Sequence, residues 1–515
     1  MGRLREVTLD RLMGWKRVQE RGIGKGSAGK MVRDTDRVHP IASMGWRWEG
    51  RTNIYSILVG LSLLLAAFPA SVQATGFRLM DQSASAAGQS SAFTAQADDP
   101  SAVYYNPAGM TQLRGVQTSI GAIFLGGSTS FTSPSGTTAN GNFGNSFATP
   151  PPINIYITAN LKDLGFTQLG NLSVGLGALS PFGTVYQYPQ NGPFASAVTS
   201  ELLQLIDIKP TLAYKLNDQL SFGLGADIYT FSGLYGEGQY EYHLSNPGLA
   251  GLGVSSPQEL SGKDTAAGFN ASLLYTPFRN AEGKPLVNIG FIYRSQATLH
   301  LDGQLQGNGA FVGNTGITVV LPQVYTTGIA LWPVRDQEHE WKLELDVDYT
   351  GWKSLRNTDI HVTSGPLSGQ TLPYPRKWAS TYTIMVGTEY KWLKPEILPD
   401  WEVALRGGYW HSQTPVPDST FVPTVPDSDN HSISIGLGFL CKGKGRFLGV
   451  LECGNGGGRF SPSAIGIDLA YKALIYETRT VSGSNPLPTI TAPGVADGRY
   501  STVFHVGFVN LRVNF

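Results

Sequence analysis

Val509-Asn510-Leu511-Arg512-Val513-Asn514-Phe515, the stretch that ends the chain, alternates apolar and polar side chains at every position. Successive side chains of a β-strand point to opposite faces, so this stretch predicts a strand with one apolar and one polar face. A half-buried strand of a soluble protein would show the same pattern, and one such stretch decides little. The pattern recurs along the chain, however, for example in residues 153–158 and 341–348. Its repetition indicates an all-β fold.

Fourteen stretches of the sequence are predicted to form strands. They lie at about 113–124, 150–159, 171–180, 206–216, 219–231, 265–276, 286–301, 317–332, 341–351, 377–391, 401–411, 431–440, 464–476 and 500–515. Long polar loops alternate with mostly short turns between them. Long loops on one side, short turns on the other and an even strand number are typical of an outer-membrane barrel, which leaves no unpaired strand edge in lipid. The sequence therefore predicts a 14-stranded antiparallel transmembrane β-barrel.

The composition excludes several other classes of protein. Only 15% of the 515 residues are charged, and 38 basic residues balance 38 acidic ones, whereas about 25% of the residues of ordinary soluble domains are charged. This low charge argues against a coiled coil, a charge-rich disordered chain and a basic nucleic-acid binder. We therefore expect no nucleic-acid partner.

An apolar stretch near the start of the chain predicts export. Residues 54–68 read IYSILVGLSLLLAAF and are followed by small residues up to Ala74. A transmembrane helix needs about 20 apolar residues, whereas a core of about 7–15, a basic flank and small residues before the cleavage site are typical of a signal peptide. A short buried helix is the alternative. We expect residues 1–74 to be an export leader, with its signal peptide at 44–74, and translation to start at Met44.

Residues 75–112 lack the alternation of the barrel strands. They are rich in Ala, Ser, Gln and Gly, and Asp98-Asp99-Pro100 and Asn106-Pro107-Ala108-Gly109 are turn signals. A segment of this kind attached to a barrel can fill the lumen as a hatch, or it can extend as a periplasmic tail. We predict a hatch at 75–112 and the barrel at 113–515.

The connection at 441–463 is a Gly-rich insertion where a short periplasmic turn is expected. It contains the two cysteines of the chain, Cys441 and Cys453. In an oxidising compartment this pair favours a structural disulfide, and two thiols cannot complete the usual four-ligand zinc site. We therefore expect a disulfide, no metal site and no cofactor.

Several motifs resemble the FadL-type outer-membrane transporters of long-chain fatty acids and other hydrophobic compounds. The matching pieces follow the family order and span nearly the whole chain after the leader: Gly76-Phe77, Gln82-Ser83, Gly88, Asn106-Pro107-Ala108, 209–217 with 220–225, Tyr293-Arg294-Ser295, 348–352, 405–408, and 415–417 with 426–429. No single piece is specific, whereas the ordered set is.

The resemblance implies a 14-stranded barrel plugged by an N-terminal hatch. It implies that substrate is captured among the outer loops, moves to a pocket inside the barrel and leaves sideways where the third strand is kinked. Gly76, Phe77, Asn106, Pro107 and Ala108 match hatch positions that the family uses in gating. Asn106-Pro107 would also form a plain turn.

The kinked strand of the family corresponds to the stretch that leads into Ser180-Pro181-Phe182-Gly183. Proline cannot donate to a strand ladder, so Pro181 can break the pairing, and Gly183 can relax the bend. An ordinary strand end that enters a loop would look the same. Lateral release has a physical reason, because an apolar solute released into water loses about 0.8 kcal/mol per CH₂ of burial free energy.

A fatty-acid carboxylate would require a basic side chain that makes a charge-assisted hydrogen bond. By residue type the candidates are Lys209, Arg294, Arg376 and Lys377. Fatty-acid members of the family have a basic residue near the end of the fifth strand, where this chain has Tyr229-Thr230-Phe231-Ser232. This departure leaves uncharged hydrocarbons, including aromatic ones, as an alternative substrate class.

We therefore expect an outer-membrane channel of a Gram-negative bacterium for passive, hatch-gated uptake of hydrophobic small molecules such as long-chain fatty acids. A surface receptor or adhesin is a further alternative. We expect no enzyme, because the sequence has no Ser-centred nucleophile elbow and no His-Glu-x-x-His zinc pair. The expected partners are the hydrophobic substrate, outer-membrane lipid and the barrel-assembly machinery, which would engage the strand that ends in Phe515.

Overall fold

The computed structural model describes residues 76–245, 249, 252–454 and 461–515. The predicted export leader, residues 1–74, lies outside the described residues. None of the helices in these ranges has the length and the apolar composition that crossing a membrane requires.

Fourteen strands form a closed barrel in which each strand pairs antiparallel with the next along the chain. The last strand pairs with the first over 16 residue pairs, from Gln117↔Asn514 to Thr132↔Arg499, and so closes the barrel. The strands are β1 Val116–Thr132, β2 Ile153–Asn160, β3 Leu172–Leu179, β4 Ile206–Lys215, β5 Leu220–Thr230, β6 Ala266–Arg279, β7 Pro285–Arg294, β8 Val324–Arg335, β9 His339–Thr350, β10 Thr381–Trp392, β11 Trp401–Ser412, β12 Asn430–Lys442, β13 Ala464–Tyr476 and β14 Gly498–Asn514. The predicted 14-stranded antiparallel barrel is confirmed.

The outer face of the barrel is apolar and its inner face is polar. In β14, Val509 and Leu511 are each 39% exposed, whereas Asn510 between them is 3% exposed. In β2, Ile155 is exposed and its neighbour Asn154 is fully buried. A water-soluble protein would show the reverse arrangement, and an exposed apolar band is what a lipid environment selects.

The described residues also form shorter elements that are not part of the barrel wall. The additional strands are Thr138–Asn142, Gly183–Gln187, Ser200–Gln204, Tyr240–Leu244, Gln258–Gly262, Ala297–Gly307, Ala310–Leu321, Ile360–Val362, Thr371–Leu372, Arg446–Phe447, Leu451–Glu452 and Arg479–Val481. The α-helices are α1 Ala84–Ala87 and α2 Ala102–Tyr105, and the 3₁₀ helices are Pro107–Gln112, Thr167–Leu169, Trp352–Ser354 and Asp418–Thr420.

Two predicted strand boundaries were wrong around residues 295–323. The predicted strands 286–301 and 317–332 each run into a separate hairpin, Ala297–Gly307 with Ala310–Leu321, which lies between β7 and β8. The strands of this hairpin also alternate buried and exposed positions. Period-two alternation therefore could not separate a barrel strand from a loop strand here.

Residues 76–112, which we call the N-terminal segment, contact strands on all sides of the barrel. The backbone N–H of Ala84 donates to Asn510 Oδ1 of β14 at 2.8 Å, and that of Ser90 donates to Ser434 Oγ of β12 at 2.8 Å. The N–H of Thr94 donates to Asp346 Oδ2 of β9 at 2.9 Å. A chain can meet strands on different sides of a closed barrel only from within, so the contacts place this segment in the lumen.

Small residues allow this close approach. Gly88 of the N-terminal segment faces Gly436 of β12, and a Cβ on either glycine would stand 2.9 Å from the Cα of the other. Any larger residue at either position would push the segment away from the wall.

Candidate functional site

An apolar cavity of about 140 Å³ lies between the N-terminal segment and the barrel wall. Its apolar lining comprises Phe77, Leu79 and Met80 of the N-terminal segment, Ile123 and Leu125 of β1, Phe504, Val506 and Phe508 of β14, and Phe182 and Val185 beyond the end of β3. We call it the main cavity. Mostly hydrocarbon walls with a few polar groups are typical of a site for a small hydrophobic molecule.

The barrel wall is interrupted beside the main cavity, at the end of β3. The pairing of β3 stops at Leu179, which lies opposite Asn154 of β2 on one side and Asp207 of β4 on the other. If the register with β2 continued, Pro152 would lie opposite Pro181, and neither residue has an N–H to donate. The residues predicted as a lateral opening, 180–183, lie at this interruption. Sequence reasoning missed the run Pro150-Pro151-Pro152, although its lack of donors can be read from the residues alone.

The N-terminal segment covers this interruption through an isolated β-bridge and the two backbone hydrogen bonds beside it. The N–H of Leu79 donates to the carbonyl oxygen of Pro181 at 2.8 Å, and the N–H of Gly183 donates to that of Phe77 at 2.9 Å. Arg78 and Phe182 form an antiparallel bridge between these bonds. Backbone groups that β2 and β4 leave unpaired are thereby satisfied. Displacement of residues 77–79 would expose an unpaired edge next to the main cavity.

Phe77 lies at the centre of an aromatic cluster. Its ring centroid is 4.9 Å from that of Trp352, 5.5 Å from that of Trp378 and 6.1 Å from that of Phe182. Phe77 lines both the main cavity and a second cavity of about 30 Å³ formed by the outer loops. Its side chain is therefore part of the wall between the two cavities. Gly76 has a φ of +63°, and a Cβ there would stand 2.7 Å from the Trp378 ring, so this position requires glycine.

Asp427, in the loop before β12, holds the start of the N-terminal segment. Its Oδ2 accepts hydrogen bonds from the N–H of Gly76 at 3.1 Å and from Thr414 Oγ1 at 2.7 Å. Burial raises the pKa of Asp427 to about 7, against the opposing effect of these hydrogen bonds and of Arg479. Its charge state therefore changes near neutral pH.

Asn106, Pro107 and Ala108 lie elsewhere in the lumen and line none of the cavities described here. The Nδ2 of Asn106 donates to the carbonyl oxygen of Thr94 at 2.8 Å and to that of Leu273 in β6 at 3.1 Å. Its Oδ1 accepts the N–H of Ala108 at 3.2 Å. The Asn106 side chain therefore ties two parts of the N-terminal segment to each other and to the wall.

Three inward-facing carboxylates of β9 bind the N-terminal segment. Asp346 accepts the N–H groups of residues 93 and 94 at 3.0 and 2.9 Å, and Glu344 accepts that of residue 95 at 2.6 Å. Asp348 pairs with Arg78 at 2.7 Å. The alternation of acidic residues along this strand was visible in the sequence, but sequence reasoning gave these carboxylates no role.

Two of the head-group candidates are engaged deep in the lumen. Lys209 of β4 is fully buried and forms ion pairs with Asp227 and, at 3.4 Å, with Asp207. Arg294 of β7 donates to the carbonyl oxygen of Tyr104, and its guanidinium lies 4.3 Å from the centroid of the Tyr104 ring. Neither side chain lines the main cavity or the second cavity.

The other two candidates lie among the outer loops. Arg376 lines the second cavity, where its Nη2 is 3.8 Å from Glu201 Oε1 and its Nε donates to Thr358 Oγ1 at 3.0 Å. Its guanidinium also lies 3.9 Å from the centroid of the Tyr374 ring. Lys377 is exposed and lines no described cavity. Of the four candidates, only Arg376 lines the main cavity or the second cavity, and its guanidinium is paired with a carboxylate.

Cys441 and Cys453 form a disulfide with a Cα–Cα distance of 5.6 Å. The disulfide is far from the main cavity, because Asn430, which lines that cavity, lies at the opposite end of β12. In the part of the chain that the structure describes, no group of three or more His, Cys, Asp or Glu side chains is arranged to hold a metal ion.

Known proteins are similar to this chain in sequence and in fold. The long-chain fatty acid transport protein of Escherichia coli O6:H1 is 26% identical over 418 residues, which cover 73% of this chain and 86% of that protein. A FadL homologue of Pseudomonas aeruginosa has a TM-score of 0.66 at 16% identity and covers 86% of this chain and 100% of that one. The toluene transporter TodX of Pseudomonas putida has a TM-score of 0.54 at 16% identity, with coverages of 81% and 94%. The two solved structures bear on the fold alone.

The model of the family described as outer membrane protein transport protein (OMPP1/FadL/TodX) matches residues 65–445, which is more than half of the chain. This family consists of transport proteins rather than enzymes. The chain therefore belongs to the OMPP1/FadL/TodX family and is an outer-membrane transporter of hydrophobic compounds.

Proposed function

We propose that the chain takes up uncharged hydrophobic small molecules by passive, hatch-gated transport. The substrate passes from the outer loops into the main cavity, past Phe77, and leaves into the bilayer through the interruption at 180–183. The N-terminal segment is the hatch, and residues 77–79 are the part of it that closes the lateral route.

The observation that carries this proposal is the pairing of residues 77–79 with residues 181–183. Residues 77–79 line the main cavity and also cover the gap in the wall. Movement of one element therefore changes both the cavity and the exit. Escape into lipid keeps the apolar surface of the substrate out of water, which is favourable by about 25 cal/mol per Å².

The pairing of the cations supports an uncharged substrate. A carboxylate in the second cavity would have to compete with Glu201 for Arg376, and Arg78 at the main cavity is held by Asp348. A buried cation that already has its counter-ion offers little additional attraction to a second anion. Long-chain fatty acids are the second candidate, because several relatives, two of them from Escherichia coli strains, are named long-chain fatty acid transport proteins.

Mass spectrometry of compounds that co-purify with the protein tests the substrate class. Uptake of a monoaromatic hydrocarbon and of a long-chain fatty acid by a strain with and without the chain completes the test. We expect an uncharged compound in the protein and faster hydrocarbon uptake. Selective recovery and uptake of fatty acid would contradict the uncharged substrate.

Deletion of residues 76–112 tests the hatch. A gated channel should leak small polar solutes and lose selective uptake, whereas a surface receptor or adhesin would keep its ligand on the outer loops. Unchanged selective uptake after the deletion would refute gating.

Two further partners belong to this proposal. The apolar outer face of the barrel contacts outer-membrane lipid. The barrel-assembly machinery recognises the C-terminal strand β14 with Phe515, whose side chain is exposed at the periplasmic end. Deletion of Phe515 is expected to lower the yield of folded barrel in membranes without a change in synthesis, and an unchanged yield would argue against this role.

A further inference from the structure

The described part of the insertion between β12 and β13, residues 443–454, folds back onto the outer face of the barrel at its periplasmic end. Within it, Arg446–Phe447 pairs with Leu451–Glu452 as a short hairpin. The disulfide between Cys441 and Cys453 ties this hairpin to the end of β12. We call residues 443–454 the stapled hairpin.

The register of the barrel shows which face the stapled hairpin covers. Cys441 lies opposite Trp401 of β11 and Ile465 of β13. Along β12 it has the parity of Ile435 and Leu437, which are exposed to lipid, yet Cys441 itself is fully buried. Phe447 of the hairpin packs with Cys441 and Ile465 and stacks on Trp401 at 6.1 Å. The hairpin therefore lies against the lipid-facing wall and not in the lumen.

The tip of the stapled hairpin presents apolar side chains. Leu448 and Val450 are 81% and 78% exposed, and Leu451 is 58% exposed. Leu448 has a φ of +51° and Gly449 one of +75°. Phe447 pairs with Leu451, so residues 448–450 form the loop, and the N–H of Val450 donates to the carbonyl oxygen of Phe447 at 3.1 Å across the turn. A turn with positive φ at both central positions favours Asn-Gly. A leucine at this position is unfavourable both for the backbone and for solvation in water.

Basic side chains flank this apolar tip. Lys442, Lys444 and Arg446 are all exposed. Lys442 pairs with Glu402, and Arg446 lies 3.5 Å from Glu452 at the surface. Lys444 forms no ion pair with any described residue. An apolar tip with cations beside it is typical of segments that sit at the boundary between acyl chains and anionic head groups.

We propose that the stapled hairpin is a lipid anchor, with Leu448, Val450 and Leu451 among the acyl chains of the periplasmic leaflet and Lys444 and Arg446 at its phosphate groups. The continuity of the hairpin with the lipid-facing wall identifies phospholipid as the occupant. The disulfide holds the hairpin against the wall, so its tip is presented at a constant depth.

Photo-crosslinking in outer membranes tests the anchor. Val450→p-benzoylphenylalanine is compared with the same replacement of Leu437, on the lipid-facing side of β12, and of Asp218, whose side chain is 87% exposed in the turn between β4 and β5. We expect the yield of phospholipid adducts at position 450 to equal that at position 437 and to exceed that at position 218 about tenfold. Burial of one apolar side chain in lipid corresponds to roughly a factor of ten. Lipid adducts no more frequent than at 218, or adducts to another protein, would overturn the proposal.

A second variant keeps the test independent of folding. Leu448→Asn suits the positive-φ turn better than leucine and removes one of the three apolar side chains of the tip. The barrel should remain folded, as heat-modifiable migration on gels reports. Lipid adducts at 450 should fall about tenfold, because the anchor has lost a leucine. Unchanged adducts in the Leu448→Asn protein would show that lipid does not hold the tip.

Discussion

Phe77→Ala should release residues 77–79 from the interruption at the end of β3. The ring makes three aromatic contacts, with Phe182, Trp352 and Trp378, and each such pair contributes about 0.5–1.5 kcal/mol beyond the buried area. Truncation of a buried phenylalanine costs about 3–5 kcal/mol. Because Phe77 is only partly buried, we expect a loss of about 2 kcal/mol from the closed position of the segment.

This loss should raise the open population of the segment roughly 30-fold, since about 1.4 kcal/mol corresponds to a factor of ten. Hydrogen exchange measures this directly, because the N–H groups of Leu79 and Gly183 are the donors of the two closing bonds. Peptides that contain them should exchange faster, while those of β14 should not change. Phe291→Ala, at a lipid-facing position of β7, is the matched control. Unchanged exchange at Leu79 and Gly183, or an equal rise across the whole barrel, would refute the role of Phe77.

Three further substitutions test two contacts of the hatch and one ion pair of the outer loops. Asp346→Ala removes the acceptor of two buried backbone N–H groups, so residues 93–96 should lose about 1–3 kcal/mol of protection in hydrogen exchange. Burial raises the pKa of Asp427 to about 7, above an unfolded value of about 3.9. The folded state thus binds the additional proton, thermal stability should fall as pH rises from about 4 to about 7, and Asp427→Asn should weaken this dependence. Arg376→Met leaves Glu201 buried without its cation and should destabilise the protein by about 3–5 kcal/mol, whereas Glu201→Gln/Arg376→Met should recover most of that in chemical denaturation.

Each of these expectations has a contradicting result. Equal exchange of residues 93–96 in wild type and Asp346→Ala would show that Asp346 does not hold this part of the segment. Burial also raises the pKa of the neighbouring Asp429 to about 7, so Asp429 should lower the stability over the same pH range. A stability that rises with pH in this range would contradict the protonation state assigned to Asp427. Equal stability of the single Arg376→Met and the double variant would show that the ion pair is not coupled.

The strands could be predicted because their signal is local. Ile153, Ile155 and Ile157 face lipid while the residues between them face the lumen, and this alternation follows from strand geometry alone. The same locality explains the error at 297–321, since a half-buried loop hairpin alternates in the same way. The positions of Phe77 and Pro181 were predicted by resemblance to the family, not by composition.

The contacts that build the candidate site could not be predicted, because they join residues far apart in the chain. The bond between Gly76 and Asp427 spans 351 residues, and that between Ser90 and Ser434 spans 344. Residue type made Lys209 and Arg376 candidates for a head group. Only the fold brings Asp227 beside Lys209 and Glu201 beside Arg376, and this pairing changes which substrate the cations favour.

The most direct test of lateral release is a reversible lock between residues 78 and 182. These residues form an antiparallel bridge, and a directly opposed pair of this kind has Cα atoms about 4.5 Å apart, within the range of a disulfide. The test protein carries Arg78→Cys and Phe182→Cys. It also carries Asp348→Asn, so that no buried carboxylate is left unpaired. Its oxidised and reduced forms are compared, and Arg78→Cys/Asp348→Asn is the control. Oxidation should reduce uptake of a hydrophobic probe to that of a strain without the protein, and reduction should restore it. Undiminished uptake by fully cross-linked protein would contradict exit through this gap.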